Sequence, residues 1–238
     1  MKPCDHPAVF TAALRFSVPV LLGYLAIGVA FGLLLSNAGY PWTLALAMSV
    51  VMYAGAGQYI AVGLFAAGAG LWEACLVQLV VNARHMAYGL SMLKRFNKAG
   101  AYKYYLIFAL TDETFALLSS LPDEVVGTAG EGSRERFMFY VALLDQFYWV
   151  AGSVIGAVAG SLIPFNMEGI GFALTALFIV LMIEQILRVR RPGIFIISAA
   201  AAVLAVFLLP GRVSLLSAMA LSLALAALPG KGRGSGGV

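Results

Sequence analysis

The chain has 238 residues, of which 62% are hydrophobic and 11% charged, and its mean hydropathy is +0.93. A soluble domain averages about 45–50% apolar and about 25% charged residues. The composition therefore excludes an ordinary water-soluble protein and predicts an all-α, polytopic integral membrane protein. The net charge of +4 comes from basic residues between apolar segments, which mark the cytoplasmic side of a membrane rather than a nucleic-acid surface.

Seven or eight hydrophobic segments approach the roughly 20 residues that a helix needs to span a bilayer. They cover residues 16–38, 42–66, 70–93, 103–121, 137–163, 169–188, 193–209 and 212–229. The first is longer than the apolar region of a signal peptide, so we interpret it as a span. We expect residues 1–230 to form a single transmembrane transport domain and the Gly-rich tail, 231–238, to be disordered.

The basic residues favour an irregular topology. Three basic clusters cover residues 94–103, 188–191 and 231–233. Eight simple spans with a cytoplasmic N-terminus would place the first cluster outside. All three become cytoplasmic if segments 42–66 and 169–188 each enter and leave the membrane on one side. The run from Ala54 to Gln58, AGAGQ, could break the first of these helices, a feature tolerated only where protein or water covers it.

Two glycine motifs suggest an internal duplication. Gly28-Val-Ala-Phe-Gly32 begins thirty residues before Gln58, and Gly156-Ala-Val-Ala-Gly160 begins twenty-nine residues before Gln185. If each half holds three full spans and one re-entrant segment, the halves form an inverted repeat, as in many secondary transporters. A direct repeat with eight full spans is the alternative.

The segment 70–93 carries Asn82, Arg84 and His85 at its centre. A charge near the bilayer centre costs about 2.5–3.5 kcal/mol on insertion scales, so such residues usually face a protein interior or a water-filled path. Asn82 and His85 share a helix face and are predicted to bind substrate, whereas Arg84 points elsewhere and is predicted to line the pathway. His85 could also carry protons. The alternative is that these groups only satisfy polar groups of neighbouring helices.

Three acidic residues are candidates for proton coupling or for the transport pathway: Asp112, Glu113 and Asp145. Asp112 and Glu113 lie about 100° apart on a helix, so one can pair with Arg84 while the other faces a cavity. A carboxylate without a partner at that depth favours its neutral form, which suits proton coupling. Simple charge pairing is the alternative.

Gly55, Gly57 and Gln58 are predicted to bind substrate at the helix break. An opened helix exposes backbone N–H and carbonyl groups, and a helix N-terminus favours the carboxylate of a zwitterion. Close packing by small residues is the alternative. No enzyme is predicted, because the chain lacks GxxxxGK[ST], HExxH and GxSxG. The positions of Cys4 and Cys75 predict neither a metal site nor a disulfide, and no cofactor is expected.

Five strings, in order, resemble the AzlC-type branched-chain amino acid permeases. They are GYLAIGVAFGLLLSNAGY (23–40), YAGAGQ (53–58), NARHMAYGLSM (82–92), TDETFAL (111–117) and DQFYWVAGSVIGAVAG (145–160). The resemblance covers roughly residues 15–190. It implies a large subunit that works with a small AzlD-type membrane subunit and exports branched-chain amino acids across the cytoplasmic (inner) membrane.

The leading hypothesis is therefore secondary export of branched-chain amino acids, driven by protons through Asp112, Glu113 or His85. One alternative is a non-catalytic membrane subunit whose polar cluster stabilises assembly with a partner. Another is a passive channel for small solutes. Saturable flux that responds to a pH step would distinguish the transporter from the channel.

Overall fold

The computed structural model describes residues 6–121, 133–162, 179, 182, 183, 186, 192–208 and 217. Every regular element in this part of the chain is a helix. The helices are α1 (His6–Asn37), α2 (Trp42–Val51), α3 (Gly55–Ala66), α4 (Leu71–Phe96), α5 (Tyr102–Phe108), α6 (Asp112–Ser119), α7 (Ser133–Leu162) and α8 (Pro192–Leu208). The chain divides into two compact units, 1–171 and 172–238. The predicted segments 169–188 and 212–229 lie almost wholly outside the described residues, and the tail lies outside them entirely.

Helices α1 and α7 form a parallel pair at the centre of the first unit. Gly28 lies against the backbone of Trp149, and one turn later Gly32 lies against that of Ala157. Because the residue numbers rise together along the contact, the two helices point the same way.

The two helices approach each other too closely for a side chain at the contact. A Cβ atom at Gly32 would lie 2.1 Å from the backbone oxygen of Ser153, and one at Gly156 would lie 2.1 Å from that of Val29. Small residues spaced four apart often serve such contacts between membrane helices. Counterparts in an inverted repeat would run antiparallel, so the inverted repeat that these two motifs suggested is wrong.

The segment 42–66 consists of two helices, α2 and α3, separated at residues 52–54. Tyr53 has a φ angle of 39°, a left-handed conformation that a bulky residue rarely adopts. The rings of Tyr40 and Phe65 lie 5.4 Å apart, so the end of α3 returns to the level at which α2 begins. The predicted break is confirmed, but residues 55–58 form the first turn of α3 and the break precedes them.

The segment 103–121 is also two helices, α5 and α6, and the prediction of one continuous span is wrong. The hydroxyl of Thr111 caps α6 by accepting the backbone N–H of Thr114 at 3.3 Å. Arg95, at the end of α4, donates to the backbone oxygen of Ser119 at 3.0 Å and to that of Leu121. Because α5 begins just after α4 ends, this contact shows that the α5–α6 segment also doubles back.

Two described helices, Pro7–Asn37 and Arg134–Leu162, are long and apolar enough to cross a membrane by length and composition. Shorter apolar helices cover Trp42–Val51, Gly55–Ala66 and Phe195–Ala205. Large apolar side chains point outward along the helices, among them Leu22, Trp72, Leu90, Phe147 and Phe207. So much exposed apolar surface is typical of a membrane protein, while the count of seven or eight spans stays a prediction.

Candidate functional site

The two helix breaks meet beside the middle of α7. The ring of Tyr53, in the first break, and that of Phe108, the last residue before the second break, have centroids 6.4 Å apart. Gln146 of α7 accepts a hydrogen bond from the Tyr105 hydroxyl at 2.6 Å and donates to the backbone oxygen of Val50 at 3.1 Å. The ends of α2 and α5 are thus held at the same level by a single side chain.

The first break is held by the amide of Gln58, which is fully buried. Its oxygen accepts the indole N–H of Trp149 at 2.8 Å, and its nitrogen donates to the hydroxyl of Ser49 at 3.1 Å. A Cβ atom at Gly55 would lie 3.3 Å from the Trp149 ring. Gln58 therefore joins α3 both to α2 and to α7.

The start of α3 also bonds to α4. Gln78 donates to the backbone oxygen of Gly57 at 2.8 Å, and Asn82 donates to the side-chain oxygen of Gln78 at 2.9 Å. A Cβ atom at Gly57 would lie only 2.8 Å from the Gln78 side-chain oxygen. The sequence-predicted residues Gly57 and Asn82 are thus brought together, with Gln78 between them.

The second break carries charge. Asp112 forms an ion pair with Arg84 at 2.6 Å and accepts the Tyr88 hydroxyl at 2.5 Å. Asp112 and Glu113 occupy the first turn of α6, where the helix dipole favours negative charge. The expectation that Arg84 pairs with one of the two carboxylates is therefore met by Asp112.

Glu113 belongs to a separate series of contacts that runs from α6 to α7. The Tyr24 hydroxyl donates to Glu113 at 2.7 Å and lies 2.5 Å from the hydroxyl of Thr111. Thr111 is 3.0 Å from the hydroxyl of Thr114, which donates to Asp145 at 2.9 Å. Four hydrogen bonds thus connect a half-buried carboxyl group to one that is fully buried.

Among the buried polar side-chain atoms of the described residues that make no hydrogen bond, three are oxygens. They are the second carboxyl oxygen of Asp145, the hydroxyl of Tyr53 and the side-chain oxygen of Asn82. A buried polar group without a partner lowers the free energy of unfolding by about 1–3 kcal/mol. Such a group can therefore mark a place where a water, ion or ligand binds. Tyr53 lies in the first break, and Asp145 lies on α7 beside the second, where it bonds to Thr114.

The predicted site residues fall into two neighbouring groups. Residues at the first break are Gly55, Gly57, Gln58 and Asn82, and residues at or beside the second are Arg84, His85, Asp112, Glu113 and Asp145. His85 is half-buried, with its ring centroid 6.0 Å from that of Tyr88. The assignment of these residues to substrate or proton binding stays a prediction.

Sequence reasoning missed the hydroxyl and indole groups that surround the two breaks. They are Tyr24, Tyr53, Tyr88, Thr111, Thr114 and Trp149. One signal could have revealed the second break, because a Thr followed at once by two acidic residues is a typical helix start. The tyrosines carry no such signal, since an isolated Tyr in an apolar run is usual in membrane proteins.

The apolar helices and the enclosed polar centre define the class, an α-helical membrane protein. A model of the AzlC protein family matches residues 19–163, so the chain belongs to the AzlC family, a family of membrane transport proteins.

The relatives agree with this assignment. An uncharacterized membrane protein of Helicobacter pylori is 44% identical over 75% of this chain and 76% of its own length. The branched-chain amino acid transport protein AzlC of Bacillus subtilis is 36% identical, over 77% of this chain and 70% of its own length. The inner membrane protein YgaZ of Escherichia coli is 31% identical, over 79% and 77%. No solved structure matches the chain significantly.

Proposed function

We propose that this chain is the large subunit of a secondary transporter that exports branched-chain amino acids across the cytoplasmic (inner) membrane. It is multi-pass, takes protons as the coupling ion and works with a small AzlD-type subunit. Membership of the AzlC family and the 36% identity to the Bacillus subtilis protein support the substrate class. The observation that carries the transport proposal is the meeting of two broken helices at a buried polar centre.

The topology proposed is three crossings and two re-entrant segments in the first unit. Helices α1, α4 and α7 cross, α2–α3 enters from one side, and α5–α6 enters from the other. The parallel course of α1 and α7 requires an odd number of crossings between them, and α4 supplies one. The basic residues 94–103 then lie at the same end as the starts of α1 and α7, which is the cytoplasmic end.

A labelling experiment tests this topology. Single cysteines replace Gly39 and Gly68 in a background with Cys4→Ser and Cys75→Ser, and an impermeant reagent is added from outside. Because α2–α3 returns to the side from which it came, both positions should react. Reaction at only one of them would mean that the segment crosses the membrane.

The substrate is proposed to bind between the breaks. The first N–H groups of α3 have no partner within the helix, and α3 has no side-chain cap, so they can bind the substrate carboxylate. Asp145 lies one turn from Trp149, which contacts Gly55, and its free oxygen can accept a hydrogen bond from the substrate ammonium. Asn82 offers a further unpaired oxygen.

Proton coupling is assigned to Glu113 and Asp145 rather than to Asp112. Asp112 is held by Arg84 and by Tyr88, whereas Glu113 and Asp145 lie at the two ends of the series of hydroxyl groups. We expect Glu113→Gln and Asp145→Asn to lose the response of leucine flux to a pH step. If both variants insert properly and their leucine flux responds to the pH step as in wild type, the assignment of proton coupling to these two residues is wrong.

Counterflow of radiolabelled leucine in proteoliposomes tests the transport proposal itself. The chain is reconstituted with and without a candidate AzlD-type partner, and unlabelled leucine is enclosed. Label should accumulate only when both subunits are present. Absence of counterflow in both preparations of folded protein would instead favour a scaffold or a different substrate.

A further inference from the structure

We infer that Glu113 and Asp145 share one proton through a wire of three hydroxyl groups, Tyr24, Thr111 and Thr114. This inference rests on the proposed function, because it assigns the path by which the coupling proton reaches a buried carboxyl group. The oxygen–oxygen distances along the wire are 2.7, 2.5, 3.0 and 2.9 Å, each within hydrogen-bond range.

A count of hydrogens supports the shared proton, because all four contacts can be hydrogen bonds only if one of the two carboxyl groups is protonated. Four hydrogen bonds need four hydrogens, and three hydroxyl groups supply three. An ionised carboxylate supplies none, so with both carboxyl groups ionised one of the four contacts would have no hydrogen. A single added proton, on either Glu113 or Asp145, completes the wire.

The two positions of that proton are related by reversing every hydrogen bond. With the proton on Glu113, each hydroxyl donates toward Asp145, which is then the carboxylate. The proton moves when Glu113 gives its hydrogen to Tyr24, Tyr24 to Thr111, Thr111 to Thr114, and Thr114 to Asp145. No oxidant or further reactant is needed, and the proton is proposed to enter at Glu113, the less buried of the two carboxyl groups.

In this conformation Asp145 is closed to solvent, and the wire offers it a route for protons. The Asp145 side chain is fully buried, as is Thr114, whereas Glu113 is half-buried. Other titratable groups surround the wire: Tyr53 and Tyr105 face Asp145 from the first break and from α5, and Arg84 pairs with Asp112 beside Glu113. In this conformation, therefore, the hydroxyl series connects Asp145 to the better exposed carboxyl group.

The test compares two measurements in proteoliposomes that contain both subunits: leucine flux driven by a pH step, and leucine counterflow. Tyr24→Phe and Thr114→Val each remove one hydroxyl with almost no change of shape. We expect the ratio of driven flux to counterflow to fall by about tenfold or more in both variants. Thr114→Ser restores the hydroxyl and should restore the ratio.

Tyr148→Phe and Ser17→Ala are the matched controls. Each removes one hydroxyl group from another buried pair, in which the Tyr148 oxygen on α7 lies 3.0 Å from the Ser17 oxygen on α1. They should retain the wild-type ratio. Wild-type ratios in Tyr24→Phe and Thr114→Val would overturn the wire, as would equal losses in the controls. A failure of the proposed function looks different, because wild-type protein would then show no counterflow or no response to pH.

Discussion

The two helix breaks meet at one place but are held by different chemistry. The break at 52–54 is uncharged, and the amide of Gln58 joins it to Ser49 and Trp149. The break at 109–111 is charged, with carboxylates in the first turn of α6 and Arg84 as a counter-ion. Backbone groups at an uncharged break suit a zwitterionic substrate, and carboxyl groups with hydroxyl partners suit protons. We therefore propose that the first break supplies backbone groups for the substrate and that the second supplies carboxyl groups for the proton.

Gln58→Leu should have the largest effect on stability. It leaves the Trp149 indole N–H and the Ser49 hydroxyl unsatisfied inside the protein, at about 1–3 kcal/mol for each buried group. Thermal unfolding in detergent measures the loss. Gln146→Leu is the control, because Gln146 also makes two hydrogen bonds but is only half-buried. Equal losses in the two variants would mean that burial at the first break has no special importance.

Arg84→Ala should have the next largest effect, at the charged break. The side chains of the ion pair are 34% and 18% exposed, so solvent screens part of the interaction and we expect a loss of about 1–3 kcal/mol. Asp112→Asn in the same chain removes the uncompensated charge and should recover part of that loss. A double-mutant cycle of unfolding free energies measures the coupling, and strictly additive effects would contradict it.

Two glycines in α3 should gain different amounts of stability on substitution by alanine. A Cβ atom at Gly57 meets the Gln78 and Asn82 side chains at 2.8 and 3.0 Å, whereas one at Gly63 meets nothing within 4 Å. Gly63→Ala should therefore stabilise the helix by about 0.5–1 kcal/mol, and Gly57→Ala should gain less and reduce leucine counterflow. If both variants gain stability and transport equally, the Gly57 contact is unimportant.

Tyr53→Phe should change stability least. Its hydroxyl has no hydrogen-bond partner among the described residues, so its removal should leave the unfolding free energy within about 0.5 kcal/mol of wild type. If this hydroxyl binds substrate, the apparent KM for leucine rises. Tyr148→Phe is the control with the opposite expectation. It loses a hydrogen-bond contact with Ser17, so it should reduce the free energy of unfolding and leave the KM for leucine unchanged. An unchanged KM in Tyr53→Phe would place substrate elsewhere.

The first break was predictable because its sequence is unusual, with Gly55 and Gly57 in an otherwise apolar segment. The second was not. Residues Phe108 to Leu110 contain no Gly or Pro, and the apolar pattern alone predicted one continuous helix. The break exists because Thr111 caps a new helix whose carboxylates are held by Arg84 on α4 and Tyr24 on α1. Contacts between distant segments outweigh local helix propensity there.

The sequence by itself determined the membrane class and the family. It also indicated nearly all the charged residues that lie at the buried polar centre, where the two breaks meet. Composition decides the class and indicates the polar centre, because apolar runs require lipid and charges within them require a protein partner, whereas the family resemblance depends on particular strings of residues. Only the tertiary structure decided that Arg84 pairs with Asp112. It also decided that three hydroxyl groups connect Glu113 to Asp145, those of Tyr24, Thr111 and Thr114. Such a link joins residues more than eighty positions apart, and only folding brings their oxygen atoms within hydrogen-bonding distance.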